Sequence, residues 1–459
     1  MLAQIEAINS AVNGVVWGPI MLVLLVGTGI YLTFRTRGLQ ARRFGFILRN
    51  TIGTLFSKDK KKSGSQHNLT PFQAVSTALA GTVGTGNIAG VTGAIFVGGP
   101  GAVFWMWVSA FFGMMTKYAE IVLSVKYRQV DEKGAHYGGP MYYIEKGAGQ
   151  KWLAILFALL GGIACFGIGN IAQSTEIAGA VQSLTGLDPL YTGIILAILT
   201  AIVVIGGVKR IGQVASYLVP FMAMFYIVAG LAIIVLRITD VPAALASIFT
   251  QAFSLEPREI GGGVAGYTIM ISMQQGVARG VFSNEAGLGS APMAHAASDT
   301  QEPVEQGMWG VFEVFVDTIV ICTLTSMAIL LSGVLEYDLS SFASNGAAAA
   351  AAFNAILPGT IGGTVLQISL LFFALSTILG WSYYGERCWG YLSNNNKVVN
   401  AIFKIAFVLM CVVGSVGSGT LMWNISDTLN GMMAIPNLVG LLLLSGTVIR
   451  LTREYFDKK

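Results

Sequence analysis

The chain reads as an all-α membrane protein of eleven spans, one N-terminal span followed by a five-plus-five inverted repeat with two discontinuous helices. Three observations predict this. Of its 459 residues 54% are hydrophobic and only 11% charged, whereas an ordinary soluble domain carries about 25% charged residues. Runs of about 20 apolar residues, the length that crosses a bilayer, recur at 13–34, 69–97, 101–127, 151–180, 189–208, 213–236, 260–294, 304–334, 361–388, 398–416 and 434–452. Two of these runs, the second and the seventh, are interrupted by glycine-rich sequence.

The segments around 140–148, 241–253, 343–357 and 420–432 are shorter or partly amphipathic and read as interfacial or connecting helices. Lys and Arg collect in cytoplasmic loops, which tests the count. After the first span come Arg35, Arg37, Arg42, Arg43, Arg49, Lys58, Lys60, Lys61 and Lys62, so this loop is placed inside and the N-terminus outside. Lys126, Arg128, Lys133 and Lys146 then fall inside, Asp188 outside, Lys209 and Arg210 inside, Glu336 and Asp338 outside, and Arg387 and Lys397 inside. The tail with Arg450, Arg453, Lys458 and Lys459 ends inside; Arg237, beside Asp240, is the one dissenter.

This divides the chain into an N-terminal span and basic loop (1–68), a first repeat of spans two to six (69–240), a second repeat of spans seven to eleven (241–453) and a cytoplasmic tail (454–459). Five is odd, so the two repeats run in opposite senses. Paired interrupted helices at corresponding positions of inverted halves are the best sequence pointer to a secondary transporter's binding site.

In the second span the interruption is Gly81-Thr-Val-Gly-Thr-Gly-Asn-Ile-Ala-Gly90. Unwound backbone is tolerated at membrane depth only where protein, water or ligand satisfies it, and each glycine costs a helix roughly 0.5–1 kcal/mol relative to Ala. The first half-helix ends in carbonyls near Ala80 to Val83, a partial negative end suited to Na⁺. The second half begins with the amides of Gly84, Thr85 and Gly86, a partial positive end suited to a carboxylate. The oxygens of Thr82, Thr85 and Asn87 are hard ligands of the kind such cations take. In the seventh span the interruption is read at Gly261-Gly262-Gly263 and through Met273-Gln274-Gln275-Gly276 to Gly287.

Other classes find little support. His67, His136 and His295 are isolated, and no His-Glu-x-x-His, Gly-x-Ser-x-Gly or Walker pattern is present, so the chain is not read as an enzyme and no ATP drives it. The excess of 27 Lys and Arg over 23 Asp and Glu follows loops, not a basic face, which gives no nucleic-acid partner. Cys165, Cys322, Cys388 and Cys411 lie in or beside apolar runs and read as small buried hydrophobes. No signal peptide pattern opens the chain, and with its compact loops this suggests the plasma membrane of a prokaryote.

The stretches GTGNIAGV (84–91), GGPGAVFWMW (98–107), TKYAE (116–120), GGPMYY (138–143) and RGVFSNEAGLGSAP (279–292) resemble the alanine or glycine:cation symporter family over nearly the whole chain. The resemblance implies a leucine-transporter-type fold and sodium-coupled uptake of alanine or glycine by alternating access. Sodium would be the coupling ion with no organic cofactor, and the partners are a small neutral amino acid, sodium and the lipid bilayer. The wider superfamily's first core helix carries a break similar to Ala80–Asn87, here one residue shorter before Val83. By that match Ala80 and Val83 offer carbonyls to one Na⁺ and Ser376 and Thr377 its hydroxyl ligands, with a second cation near Thr82 and Asn87.

Around the substrate, the seventh span's break would present the backbone of Met273 and Gly276 and the side chain of Gln274. Asn170 and Gln173 of the fourth span, at i and i+3 on one face, need partners in an apolar helix: the substrate ammonium or a neighbouring helix. Phe166, Met273 and Trp381 would cap a cavity sized for a methyl group, or simply pack. Lys117 and Glu120 read as a neutralising pair. Glu313 and Asp317 need Arg279 or a proton as partner, and Glu176 and Glu285 face the same choice. The competing readings are a proton-coupled carrier of another small metabolite and, further off, an ion channel, which would need rings of oxygen or charge around a pore.

Overall fold

Prolines open several of the helices, because a ring-fixed φ and a missing N–H fit the first turn, where that N–H would have no intrahelical partner. In chain order the principal helices are α1 (Leu2–Val16), α2 (Pro19–Arg35), α3 (Pro71–Thr82), α4 (Ala89–Gly98), α5 (Gly101–Lys126), α6 (Lys151–Phe166), α7 (Ala172–Thr185), α8 (Pro189–Val204), α9 (Gly207–Leu236), α10 (Val241–Ala252), α11 (Thr268–Asn284), α12 (Pro292–Ala296), α13 (Pro303–Val314), α14 (Thr323–Leu331), α15 (Asn345–Ile356), α16 (Ile361–Leu392), α17 (Lys397–Val416) and α18 (Gly419–Asp457), with shorter helices, among them Leu39–Arg42, Phe44–Asn50 and Pro140–Tyr142, and turns between some of them. The computed structural model describes residues 2–56, 67–260, 263–417 and 419–458. Lys58 and Lys60 to Lys62 of the basic loop, and Gly261 and Gly262 of the glycine run, lie outside the described residues.

Among the described residues eight helical stretches are long and apolar enough to cross a bilayer, and the pair α3 and α4, bent by 59° at its break, makes a ninth. Two of the expected spans fall short by length. Helix α8 has 16 residues, about 24 Å at 1.5 Å per residue, and the 260–294 segment is divided between α11 and α12. Three further differences from expectation have local causes. Residues Pro257–Ile260 and Gly263–Tyr267 pair as an antiparallel ribbon, so the seventh span starts at Thr268 and not at 260. The 420–432 segment is not a separate interfacial helix, because α18 continues through it and through Pro436. Residues Gly167–Ile171, between α6 and α7, and Phe315–Cys322, between α13 and α14, form wide π-helical turns. Each such turn holds more residues than an α turn and rotates every later side chain around the helix axis.

Burial sorts the helices into layers. From Ala74 to Thr82 every residue of α3 is buried, and it packs against α9, α16 and α12. By contrast α8, α9 and α17 expose Ile195, Ile198, Leu199, Phe221, Met224, Ile402, Ile405 and Leu409 on their outer faces, apolar surface that only a bilayer would cover. The broken helix is therefore the innermost element, and the lipid-facing helices enclose it.

Candidate functional site

Helix α3 ends at Thr82 because the next residues leave the helical region: Val83 is at φ −78°, ψ 93° and Gly84 is extended at φ −138°, ψ −157°. Chain direction resumes in a short 3₁₀ turn, Thr85–Asn87. The Asn87 side chain organises it, accepting the Gly84 N–H (2.9 Å) through Oδ1 and donating to Asp317 Oδ1 (2.7 Å) through Nδ2. Thr325 donates to the Asn87 carbonyl (2.8 Å), so the turn is tied to α14 and to the wide turn before it.

On the other side of the break α16 supplies two hydroxyls. Ser376 and Thr377 each lie 3.5 Å from the Val83 carbonyl oxygen, while donating back along their own helix to Phe373 O at 2.8 and 3.0 Å. Their protons are thereby directed to Phe373, and their lone pairs are left toward Val83. Two edges of 3.5 Å are what an octahedron with metal–oxygen bonds of about 2.5 Å has, within the range hard cations take. The arrangement therefore suits a hard monovalent or divalent cation, and the chemistry of the donors, one carbonyl and two neutral hydroxyls, favours the lower charge. Close approach makes this possible: α3 and α16 cross where Gly81 and Gly380 face each other, and a Cβ on Gly380 would come 2.7 Å from the Gly81 nitrogen. Ala80 is fully buried at that crossing. Thr82 turns its hydroxyl back to Ala78 O (3.3 Å) and Leu79 O (3.4 Å).

Gln173, on α7, reaches the break. Its Oε1 is 3.4 Å from the Thr85 N–H and its Nε2 donates to Ile168 O (3.0 Å). The Thr85 hydroxyl is buried and has no hydrogen-bond partner, and Gly86 lies against the Phe282 ring of α11. The structure thus gathers Val83, Gly84, Thr85, Gly86, Asn87, Gln173, Ser376 and Thr377 in one place.

It does not gather the rest. Asn170 donates to Phe407 O of α17 (2.6 Å), and Phe166 packs edge-on against Phe403 and at a tilt against Phe407 of the same helix. The wide turn Gly167–Ile171 is the reason, because it rotates Gln173 away from the face that Asn170 occupies. Met273, Gln274 and Gly276 lie inside α11, which is continuous there, so no backbone is presented. Gln274 donates to Trp17 O (3.4 Å), Met273 packs on the core, and Gly276 permits α11 to press on the Ala102 carbonyl of α5. The interruption in this span lies at Glu285–Ala291, which the expected stretch reached only at its end, Glu285 to Gly287. Glu285 itself has φ 56°, and Gly287 and Gly289 have φ of 97° and 83°, a region that residues with a Cβ avoid. Trp381 belongs to this second break, donating its indole N–H to Glu285 Oε1 (2.9 Å). Glu120 Oε1 accepts the Gly287 N–H (3.0 Å), and Asn437 Nδ2 donates to both Glu120 (2.6 Å) and Gly287 O (2.9 Å).

The buried charges pair differently from expectation too. Lys117 bonds Glu313 (3.3 Å), not Glu120, and Glu313 also takes His295 Nε2 (3.0 Å). Arg279 pairs with Asp427 (3.4 Å) and reaches neither Glu313 nor Asp317 by an ion pair. Asp317 instead accepts Asn87, Ser283 (2.8 Å) and Thr318 (2.8 Å). Among the described residues no more than 2% exposed, the ionisable side chains beside the breaks are one ammonium, Lys117, and four carboxyls, Glu120, Glu285, Glu313 and Asp317, with His295. Sequence reasoning did not place Ser283 and Asp317 at the site. Ser283 lies on the last turn of α11, just before the second break, and Asp317 in the wide turn Phe315–Cys322, so no local signal marked either as a partner of Asn87.

The profile of the sodium:alanine symporter family matches residues 2–459. The sodium/alanine symporter AgcS of Methanococcus maripaludis is 48% identical over 452 residues, 97% of this chain and 96% of that protein. Among solved structures, that of MhsT in complex with L-phenylalanine aligns with a TM-score of 0.59 at 15% identity, covering 84% of this chain and 99% of the other. A substrate-bound, outward-open Na⁺-coupled sialic acid symporter aligns with a TM-score of 0.51 at 12% identity, over 95% of this chain and 86% of the other.

Proposed function

The chain belongs to the sodium:alanine symporter family, and from that premise we propose how its two helix breaks divide the work. It is an all-α, multi-span membrane transporter with a leucine-transporter-type fold, not an enzyme, and it carries small neutral amino acids by sodium-coupled symport with alternating access.

The substrate is alanine or glycine. Sodium sits between the Val83 carbonyl and the Ser376 and Thr377 hydroxyls, and the Gly86 amide and the unpaired Thr85 hydroxyl take the carboxylate. The convergence of Val83, Ser376 and Thr377 across the α3–α16 crossing is the observation that carries this reading. Gln173, by accepting the Thr85 N–H, orders the turn that presents that amide and hydroxyl. The eleven-span count, with α8 and the α11–α12 pair as the two short members, gives a first repeat at 69–240 and a second at 241–453. The basic loops then set the N-terminus outside and the C-terminus inside the plasma membrane of a prokaryote.

Thr377→Ala removes one oxygen from the ion and leaves the helix intact. It is expected to raise the sodium concentration for half-maximal alanine uptake about ten- to a hundredfold, the equivalent of one charge-assisted contact. Proteoliposomes with sodium varied at constant ionic strength measure it. An unchanged sodium dependence removes Thr377 from the ion site, and uptake driven by a pH gradient without sodium would favour the proton-coupled alternative.

A further inference from the structure

Asn430 is fully buried in α18, and neither its carbonyl oxygen nor its amino group has a hydrogen-bond partner. An unpaired primary amide in an apolar interior is a standing desolvation cost. Its neighbours on α18 fix where it points. Ser426 meets Gly167 of the wide turn, and Asp427 meets Arg279 of α11. At about 100° per residue, Asn430 lies roughly 40° from the first direction and 60° from the second, so it faces the gap between the wide turn and α11.

Its height follows from a second pair of contacts. Contacts from the two segments come in the same chain order, Arg279 of α11 at Asp427 of α18 and, beyond the end of α11, Gly287 at Asn437. Asn430, about a third of the way along, is therefore level with Phe282, the residue against Gly86 at the first break. A buried amide with unused donors and an unused acceptor thus faces the interior at the level of the proposed substrate site.

We propose that Asn430 is a direct ligand of the transported amino acid, its carbonyl oxygen accepting a hydrogen bond from the α-ammonium group. This rests on the reading of the chain as an amino-acid symporter. The Gly86 amide and the Thr85 hydroxyl at the first break claim the carboxylate, so the other end of the zwitterion needs an acceptor, and the Asn430 side chain supplies one without adding a charge to a net-neutral ligand. Specificity follows: a ligand without the ammonium group leaves the Asn430 oxygen unpaired and is rejected.

The test is equilibrium binding of labelled alanine to purified protein in saturating sodium, with lactate as a competitor that lacks the ammonium group. Asn430→Leu keeps the volume and removes the polar atoms. The expected result is a folded protein that melts no lower than wild type without ligand, binds alanine about ten- to a hundredfold more weakly, keeps the wild-type sodium-induced thermal shift, and loses much of the preference for alanine over lactate. Alanine affinity within twofold of wild type, with the preference intact, overturns the proposal and leaves Asn430 a packing residue. If Asn430→Leu does not fold, Asn430→Ser, too short to reach the ligand, is judged by the same two outcomes. Absence of sodium-dependent alanine binding by the wild-type protein defeats the symporter reading instead.

Discussion

Replacing Gly84 by alanine is expected to abolish sodium-driven uptake, with at least a hundredfold loss of sodium affinity, while the protein stays folded. The backbone has no objection, because φ −138° and ψ −157° are extended and open to any residue. The whole effect comes from one methyl group. Built on Gly84, it overlaps Thr377 Oγ1 and comes 3.5 Å from Gln173 Oε1. Thr377 has nowhere to retreat, since its hydroxyl is held by Phe373 O and its helix is already pressed against α3 at Gly380. The methyl therefore displaces the Thr377 hydroxyl from the proposed ion site, while its contact with Gln173 is an ordinary van der Waals one. Sodium-induced thermal stabilisation of purified protein and uptake in proteoliposomes read the two losses separately. A half-saturating sodium concentration within threefold of wild type would show that no ion lies between Gly84 and α16.

The largest effect on stability is expected from Lys117→Met. Lys117, Glu313 and His295 are all fully buried, and they join α5, α13 and α12 in one chain of contacts. Gln306 Nε2 donates to His295 Nδ1 (2.7 Å), which leaves Nε2–H for Glu313 and makes the imidazole a neutral donor. Lys117 is thus the positive charge that answers Glu313. Removing one member of a buried pair costs about 3–5 kcal/mol because the other is left uncompensated. Lys117→Met should therefore lower unfolding stability in detergent by that amount, and adding Glu313→Gln should restore more than half of it. A double variant that is less stable than Lys117→Met alone would mean that Glu313 is stabilised by something other than the ammonium group.

What the sequence revealed and what it hid have one physical division. Long apolar runs and glycine clusters are local signals, so most of the spans and the break at Gly84 to Gly86 could be read directly. The pairing of Val83 with Ser376 and Thr377 came from a motif resemblance, since nothing local says that residues almost 300 positions apart meet. Errors arose where register mattered. Two π-helical turns shift the faces of later residues, so spacing of i and i+3 put Asn170 and Gln173 on one side when they diverge. In the seventh span Met273 to Gly276 had the composition of a break, but α5 packs closely enough on Gly276 to keep that helix straight, and the chain unwinds where Gly287 and Gly289 take positive φ. Buried charges were the least legible, because Lys117 has a carboxylate one turn away in sequence and chose another across the bundle.

The tally of one ammonium against four carboxyls beside the breaks bears on the order of events in a transport cycle. In a medium of low polarisability whichever of these acids is ionised is felt over long distances, drawing in cations while discouraging a bare anionic group. An amino acid arriving first would bring its own carboxylate into a hostile field; one arriving after sodium meets a field already softened.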